Sequence, residues 1–199
     1  MLKTFKLGGV HPPEKKYAQD SPIESFPLPK QVIIPINQNL GAPSVPQVKK
    51  GDEVKAGQLL AKGEAFISSN VHSSVSGKIF KIDQSIDSTG YKRMSIIINV
   101  EGDEWVDSVD RSDDLRPEVT MDQKEIINKV HEMGVVGMGG ATFPSHVKLM
   151  VPKGKTAEYL LINGVECEPY LTADHRMMLE KGKEILIGTK ILMKALGVS

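Results

Sequence analysis

Residues 48–60 read VKKGDEVKAGQLL, and residues 71–79 read VHSSVSGKI. Each stretch places short apolar runs around glycine, and we predict turns at 49–52 and 76–78. Further β-branched runs lie on either side, at 32–35 and 94–100. Short strands separated by closely spaced turns are typical of a small sandwich or barrel. We therefore predict an all-β module over residues 31–100.

The composition of the 199-residue chain excludes several classes of protein. Its 25 basic and 25 acidic side chains cancel, whereas a general electrostatic binder of nucleic acid carries a basic surplus. The single cysteine, Cys167, can neither close an intramolecular disulfide nor supply an iron–sulfur cluster. No apolar run approaches the ~20 residues of a membrane span, and residues 1–10 have no signal-peptide core. We predict no nucleic-acid partner and no transmembrane segment of its own.

The sequence on either side of the β module has a different character. Residues 1–30 are rich in proline, which disfavours helix at the preceding residue, and predict an extended arm. A floppy terminus is the alternative. Residues 101–121 are strongly acidic and predict a solvated linker.

Helical periodicity begins at residue 122. Asp122 and Glu125 predict a capping box for a helix that ends at Gly134. The run EYLLIN at 158–163 predicts a buried strand, and helices are expected from about 174 and over 183–196. The order helix, loop, strand, loop, helix favours a partial α/β, Rossmann-like module over 122–199. The predicted fold is thus α+β with two modules.

A glycine-rich loop, GMGGATFP, occupies residues 137–144. Glycines let the backbone approach a ligand closely, and clustered N–H groups favour phosphate. The pattern is G-x-G-G and not the full dinucleotide fingerprint G-x-G-x-x-G. A tight turn that needs positive φ is the alternative interpretation.

A second polar cluster, NGVECEPY, occupies residues 163–170, directly after the predicted strand. Ligands of open α/β sheets bind at that end of a strand. Its Asn and two Glu side chains would accept hydrogen bonds from sugar hydroxyls or flavin N–H groups, or would form a solvated loop. Asp174 is expected to cap the following helix. The five histidines show no metal-ligand spacing, and we predict no metal site.

The β module resembles the biotinyl/lipoyl barrel-sandwich family in the two stretches quoted above. A carrier domain of that family needs a lysine on the exposed hairpin between its halves. Here the hairpin, GEAFISSN at 63–70, contains no lysine, and Lys62 lies only at its edge. We predict a module that docks or spaces and carries no swinging group.

The two later loops resemble the flavin-bearing, NADH-oxidising subunit of respiratory complex I, which has a GRGGAGFP loop followed by N-A-D-E-x-E-P. The chain is more similar to the RnfC family, the NADH-oxidising subunits of Rnf ion-translocating electron-transport complexes. That resemblance covers essentially the whole chain, including GGVHPPE at 8–14, and its most specific part is INGVECEPYLTADHR at 162–176.

The resemblance implies roles for residues of the glycine-rich loop and the segment after it. Gly137, Gly139 and Gly140 would approach FMN and the bound NADH. Phe143 would stack near the nicotinamide or adenine ring, and Lys148 would meet a phosphate.

The resemblance implies further contacts from the second loop. Asn163 and Glu166 would face the flavin, and Glu168 would orient NADH. The complex I pattern has Asp where this chain has Val165, so one contact is missing. Cys167 is interpreted as incidental, because neighbouring carboxylates disfavour a thiolate.

The function that the resemblance implies is hydride transfer from NADH to flavin, with electrons passed on to [4Fe–4S] clusters and coupled to ion translocation. Hydride transfer needs no side-chain acid or base, so we predict no catalytic residue. The cluster ligands would lie beyond Ser199, which makes this sequence an N-terminal portion that is inactive alone and binds FMN weakly. Its partners would be the other membrane subunits of the Rnf complex, with peripheral attachment at the cytoplasmic face.

Two alternatives belong to other classes. The chain would be a non-enzymatic assembly module if the barrel-sandwich served as a docking surface and the glycine-rich loop were only a turn. It would also fit a subunit like NqrA of the sodium-pumping quinone reductase, which keeps no functional nucleotide site.

Overall fold

A computed structural model describes residues 12–87 and 89–198. The described part contains seven strands and four helices: β1 (Gln31–Pro35), β2 (Val45–Pro46), β3 (Glu53–Val54), β4 (Leu59–Lys62), β5 (Val71–His72), β6 (Gly77–Ile86), β7 (Lys92–Val100), α1 (Gln123–Glu132), α2 (Ser145–Leu149), α3 (Ala173–Glu180) and α4 (Gly182–Leu196).

The chain divides into two compact units. The arm–loop unit contains residues 12–25 and 161–190, and the sheet unit contains residues 26–160 and 191–198. Residues 1–11 of the predicted arm, with most of its GGVHPPE motif, lie outside the described residues.

The strands form two antiparallel sheets. One has the order β1-β7-β6-β3 and the other the order β2-β4-β5. The first strand pairs with the last, with Gln31 opposite Asn99, and Val100 N donates to Lys30 O at 3.0 Å. This arrangement confirms the prediction of an all-β module.

The core of the sheet unit is aliphatic. Ile96 and Ile98 of β7 are fully buried, as are Leu60 of β4 and Ile79 of β6. Complete burial of one such side chain contributes about 1.5–3 kcal/mol. These four side chains come from both sheets and hold them together as a sandwich.

Gly77 is the position at which the β module depends on glycine. Its φ is +149°, and a Cβ there would lie 2.0 Å from the Asn99 carbonyl oxygen on the paired strand. The predicted turn at 76–78 is wrong in detail, because the bend falls at 74–75 and Gly77 already opens β6. The close approach of the neighbouring backbone therefore leaves room only for glycine at position 77.

Helix α1 begins as the sequence predicts. Asp122 accepts a hydrogen bond from the Glu125 amide, and the Glu125 carboxylate accepts one from the Asp122 amide, so the capping box is confirmed. The helix packs through Ile126 against Leu149 of α2 and Ala195 of α4 in a small apolar cluster.

The buried strand predicted at 158–163 is wrong. These residues have no regular secondary structure, and Tyr159 and Leu161 are 81% and 89% exposed. A strand is stabilised by hydrogen bonds to a neighbour, and no described residue pairs with this segment. The α/β module in its Rossmann-like form is therefore not seen within the described part of the chain.

The start of the predicted linker pairs with the β module. Trp105 forms a parallel bridge with Ala56, the Ala56 amide donates to Glu104 O, and the Val106 amide donates to Ala56 O. Within residues 12–87 and 89–198, no helix has both the length and the hydropathy needed to cross a bilayer.

Candidate cofactor site

The glycine-rich loop belongs to the sheet unit, and backbone contacts hold its two ends together. Val136 and Pro144 form an antiparallel bridge at its base, and the Gly137 amide donates to Phe143 O at 2.9 Å. The Ser145 amide then donates to Val135 O at 2.9 Å, where helix α2 begins. These contacts fix both ends of the loop. At its tip, 138–142, Thr142 O accepts from the Leu40 amide at 3.2 Å, and none of the described strands pairs with the tip.

The tip of the loop has open space beside its backbone. Gly140 has a φ of +116°, so its backbone conformation requires glycine. Gly139 has no positive φ, and a Cβ there would meet nothing within 4 Å. Neither backbone strain nor packing within the described residues explains a glycine at 139. Close approach of a ligand would explain it.

Lys148 folds back from α2 onto this loop. Its Nζ lies 2.8 Å from the position that a Cβ on Gly137 would occupy, so a side chain at 137 would displace the ammonium. The same Nζ lies 6.0 Å from the centroid of the Phe143 ring. No ion pair to Lys148 is found among the described residues. Within the described part of the chain, the tip amides have no acceptor and Lys148 has no counter-ion, an arrangement suited to an anion such as phosphate.

The loop borders a cavity of about 790 Å³ that the sequence did not reveal. Gly140 and Thr142 line one side, and Asn37, Asn39 and Arg93 line another. Asn39 is buried, and no described donor reaches its Oδ1 atom. Small-molecule sites commonly have volumes of about 300–1,000 Å³. Asn39 lies between two β runs, and nothing in the sequence around it indicates that it lines a cavity.

The second predicted cluster lies in the arm–loop unit. Asn163 Oδ1 accepts a hydrogen bond from the Val165 amide at 3.0 Å, which makes a local turn. Gly164 packs against helix α3, since a Cβ there would lie 3.2 Å from Met178 Sδ. Glu168 and Cys167 are exposed.

Glu166 holds the beginning of helix α3. Its Oε1 accepts hydrogen bonds from the amides of Asp174 at 2.9 Å and His175 at 3.1 Å. The predicted cap by Asp174 is wrong, because the N-cap is Thr172 and Asp174 lies in the first turn with its amide bound to Glu166. A carboxylate from the preceding loop supplies the acceptor and complements the positive end of the helix. Its other oxygen, Oε2, has no hydrogen-bond partner within the described residues.

The structure also pairs two histidines that the sequence left unassigned. The rings of His131 on α1 and His146 on α2 lie 4.2 Å apart, and His146 is buried. Burial, and then the neighbouring His131, lower the pKa of His146 below its ordinary value. No cluster of three or more metal-ligating side chains occurs in the part of the chain that the structure describes.

Each of the two units, taken by itself, offers groups that fit one part of a flavin mononucleotide. A phosphate needs amides and a cation, which the glycine-rich loop and Lys148 provide. A flavin ring and its ribityl hydroxyls need hydrogen-bond acceptors, which Asn163 and Glu166 provide. The first group lies in the sheet unit and the second in the arm–loop unit.

Comparison with known families finds two domain models that match successive parts of the chain. A model described as the RnfC barrel sandwich hybrid domain matches residues 3–103. A model described as the Nuo51 FMN-binding domain matches residues 130–199, which include both candidate loops.

Similar proteins extend over the whole chain. One component of a proton-translocating ferredoxin:NAD(+) oxidoreductase complex from Clostridium ljungdahlii is 48% identical over 100% of this chain and 43% of its own length. The corresponding component of a Na(+)-translocating ferredoxin:NAD(+) oxidoreductase complex from Acetobacterium woodii is 42% identical over 98% of this chain and 44% of its own. A component of an ion-translocating oxidoreductase complex from Rhodobacter capsulatus is 40% identical over 99% and 38%. The chain spans less than half the length of these curated relatives.

Proposed function

Because the chain belongs to the RnfC family, we propose that it forms the flavin-binding part of a subunit that exchanges electrons between NAD(H) and iron–sulfur clusters. The relatives' names pair ferredoxin with NAD(+) and include ion translocation. A hydride step at a flavin serves either direction of that exchange. The other subunits of the complex are the proposed partners, and peripheral attachment at the cytoplasmic face is the proposed location.

The open tip of the glycine-rich loop beside Lys148 is the observation that carries the proposal. Backbone amides at Gly139 and Gly140 would receive the FMN phosphate, and the Lys148 ammonium would neutralise its charge. Phe143, which already packs near Lys148, would offer its ring face to the nicotinamide or adenine.

The polar side chains of the arm–loop unit would orient the ring systems. Glu166 would accept a hydrogen bond through Oε2 while Oε1 continues to cap α3. Asn163 would contribute a second contact, and the exposed carboxylate of Glu168 would orient NADH. Bound FMN would supply the chemistry, because it accepts a hydride and releases electrons one at a time. The chain's own residues would bind and orient, and none would need to move a proton.

The β module is proposed to be structural and not a carrier. Its hairpin at 63–70 is fastened to the sheet unit, since Ser68 and Ser69 are buried and Gly63 N donates to Asn70 Oδ1 at 3.0 Å. The Asn70 side-chain amide also donates to Glu132 O on α1. A hairpin held at this many points is not suited to present a swinging group. We propose residues 31–100 as this module, 101–121 as the connection and 122–199 as the start of the flavin domain.

The test is an FMN titration of the native full-length protein and of a Lys148→Met variant. We expect the dissociation constant to rise about tenfold or more, the size of one charge-assisted phosphate contact. Lys153→Met removes a nearby exposed lysine and is the matched control, with an expected affinity like that of the parent. Equal affinities of the Lys148→Met and Lys153→Met variants would contradict the proposed phosphate site.

A further inference from the structure

The described part of the N-terminal arm is anchored to the polar loop by Lys16. Its ammonium donates to the carbonyl oxygens of Glu168 at 2.9 Å and Leu171 at 2.8 Å. Among residues 12–25, Lys16 alone is half-buried and the others are exposed. Beside it, the ring of Tyr17 lies 6.0 Å from that of Tyr170, so Lys16 makes the half-buried part of this contact and Tyr17 an exposed part.

Two further contacts continue the arm along helix α3. Arg176 Nη1 donates to Gln19 O at 3.1 Å, and the Ile23 amide donates to Glu180 Oε1 at 3.0 Å. Arg176 and Glu180 also pair with each other, with partly buried side chains, so the arm binds an ordered ion pair. The arm thus follows the loop and then the helix over residues 16–23.

The position of the Lys16 ammonium matters for the loop geometry. Its two acceptors are the ends of a turn in which the Leu171 amide donates to Glu168 O at 3.3 Å. That weak turn joins the two carboxylates of the candidate site to helix α3. A cation that binds both carbonyls fixes the distance between them and compensates their partial charge. Lys16 and Glu166 also line one cavity of about 250 Å³, so the ammonium and the carboxylate face the same space.

We propose that residues 16–23 act as a strap and that Lys16 is a positioning residue for Glu166 and Glu168. This rests on the proposed function, in which those two carboxylates contact the flavin and NADH. The strap sets the position of the loop before the ligand arrives, so less ordering has to accompany binding. Lys16 would act through the position of these two carboxylates.

The experiment compares Lys16→Met, Lys16→Arg and Lys15→Met in the native full-length protein. Lys15→Met removes the neighbouring exposed lysine and is the matched control. Hydrogen exchange is followed at the amides of Leu171, Asp174 and His175, and FMN affinity is measured by quenching of flavin fluorescence. We expect about tenfold faster exchange and several-fold weaker FMN binding in Lys16→Met. Lys16→Arg, which retains the donors, should restore both.

The outcomes separate the strap from the flavin site. Exchange in Lys16→Met that equals exchange in Lys15→Met would overturn the strap. Faster exchange with unchanged FMN affinity would overturn the positioning role, while weaker FMN binding in Lys148→Met would keep the proposed function intact. If neither Lys16→Met nor Lys148→Met alters FMN binding, the proposed function fails independently of the strap.

Discussion

Glu166 offers the sharpest test, because the structure gives it a role in the fold besides its proposed contact with the flavin. We consider Glu166→Ala and Glu166→Gln, with Glu168→Ala as the matched control two residues away. Glu166 accepts the amides of Asp174 and His175 through one oxygen. The Glu168 carboxylate is exposed and accepts no hydrogen bond from the described residues.

The expected size of the effect follows from these contacts. Loss of a side-chain acceptor at a helix N-terminus costs about 1 kcal/mol, and loss of a negative charge there costs about 0.3–1 kcal/mol. Glu166→Ala loses both, so the first turn of α3 should be less stable by about 1–2 kcal/mol, which is a roughly 5- to 30-fold change in local opening. Glu166→Gln keeps an acceptor and loses only the charge, so its change should be about two- to fivefold.

The assay is hydrogen exchange at the amides of Asp174 and His175, with the Ile126 amide of α1 as an internal reference. Glu168→Ala should exchange like the parent at both amides, although it should still weaken NADH binding if the proposed function holds. Equal exchange in Glu166→Ala and Glu168→Ala would refute the capping role. A loss of protection that extends to Ile126 would show general unfolding and would refute the local argument.

Two further predictions concern the sheet unit. Gly77→Ala should lower the free energy of unfolding by about 3 kcal/mol or more, because its Cβ would meet the Asn99 carbonyl. Gly51→Ala, also at positive φ but in open space, should lower it by only about 1–2 kcal/mol. Equal urea midpoints for the two variants would contradict this. Stability should also fall as pH drops below about 6.5, because the lowered pKa of His146 means that the unfolded chain binds the proton more readily. His146→Gln should make the free energy of unfolding less dependent on pH, as measured by urea unfolding between about pH 7.5 and 5.5. Some pH dependence should persist from His72, because burial also lowers the pKa of that residue. An unchanged pH dependence would exclude His146 as its source.

Local patterns in the sequence predicted the elements that depend on near neighbours. The capping box of α1 joins residues three positions apart, and the strands of the β module alternate with turns that glycine marks. Both signals lie within a few residues, so a single sequence contains them. The family resemblance added the order of the two matched domains.

The features that the sequence did not predict depend on distant partners. The run at 158–163 is apolar enough for a strand, but pairing depends on a neighbour that the pattern cannot supply. The cap of α3 comes from Glu166, beyond the spacing of a capping box. The anchor at Lys16 joins residues more than a hundred positions apart, and one lysine in a proline-rich arm gives no sign of its acceptors.

The pairing of β1 with β7 has a consequence for how such a chain is assembled. Lys30 and Val100 are joined by a backbone hydrogen bond, so the polypeptide leaves the four-stranded sheet beside the point at which it arrived. A segment with adjoining ends can be inserted into another fold, or deleted from it, with little change to the flanking backbone. Residues 12–25 and 161–190 belong to one compact unit although the whole β module intervenes between them. The barrel-sandwich therefore has the topology of a cassette, which a recombination event can move as a single piece.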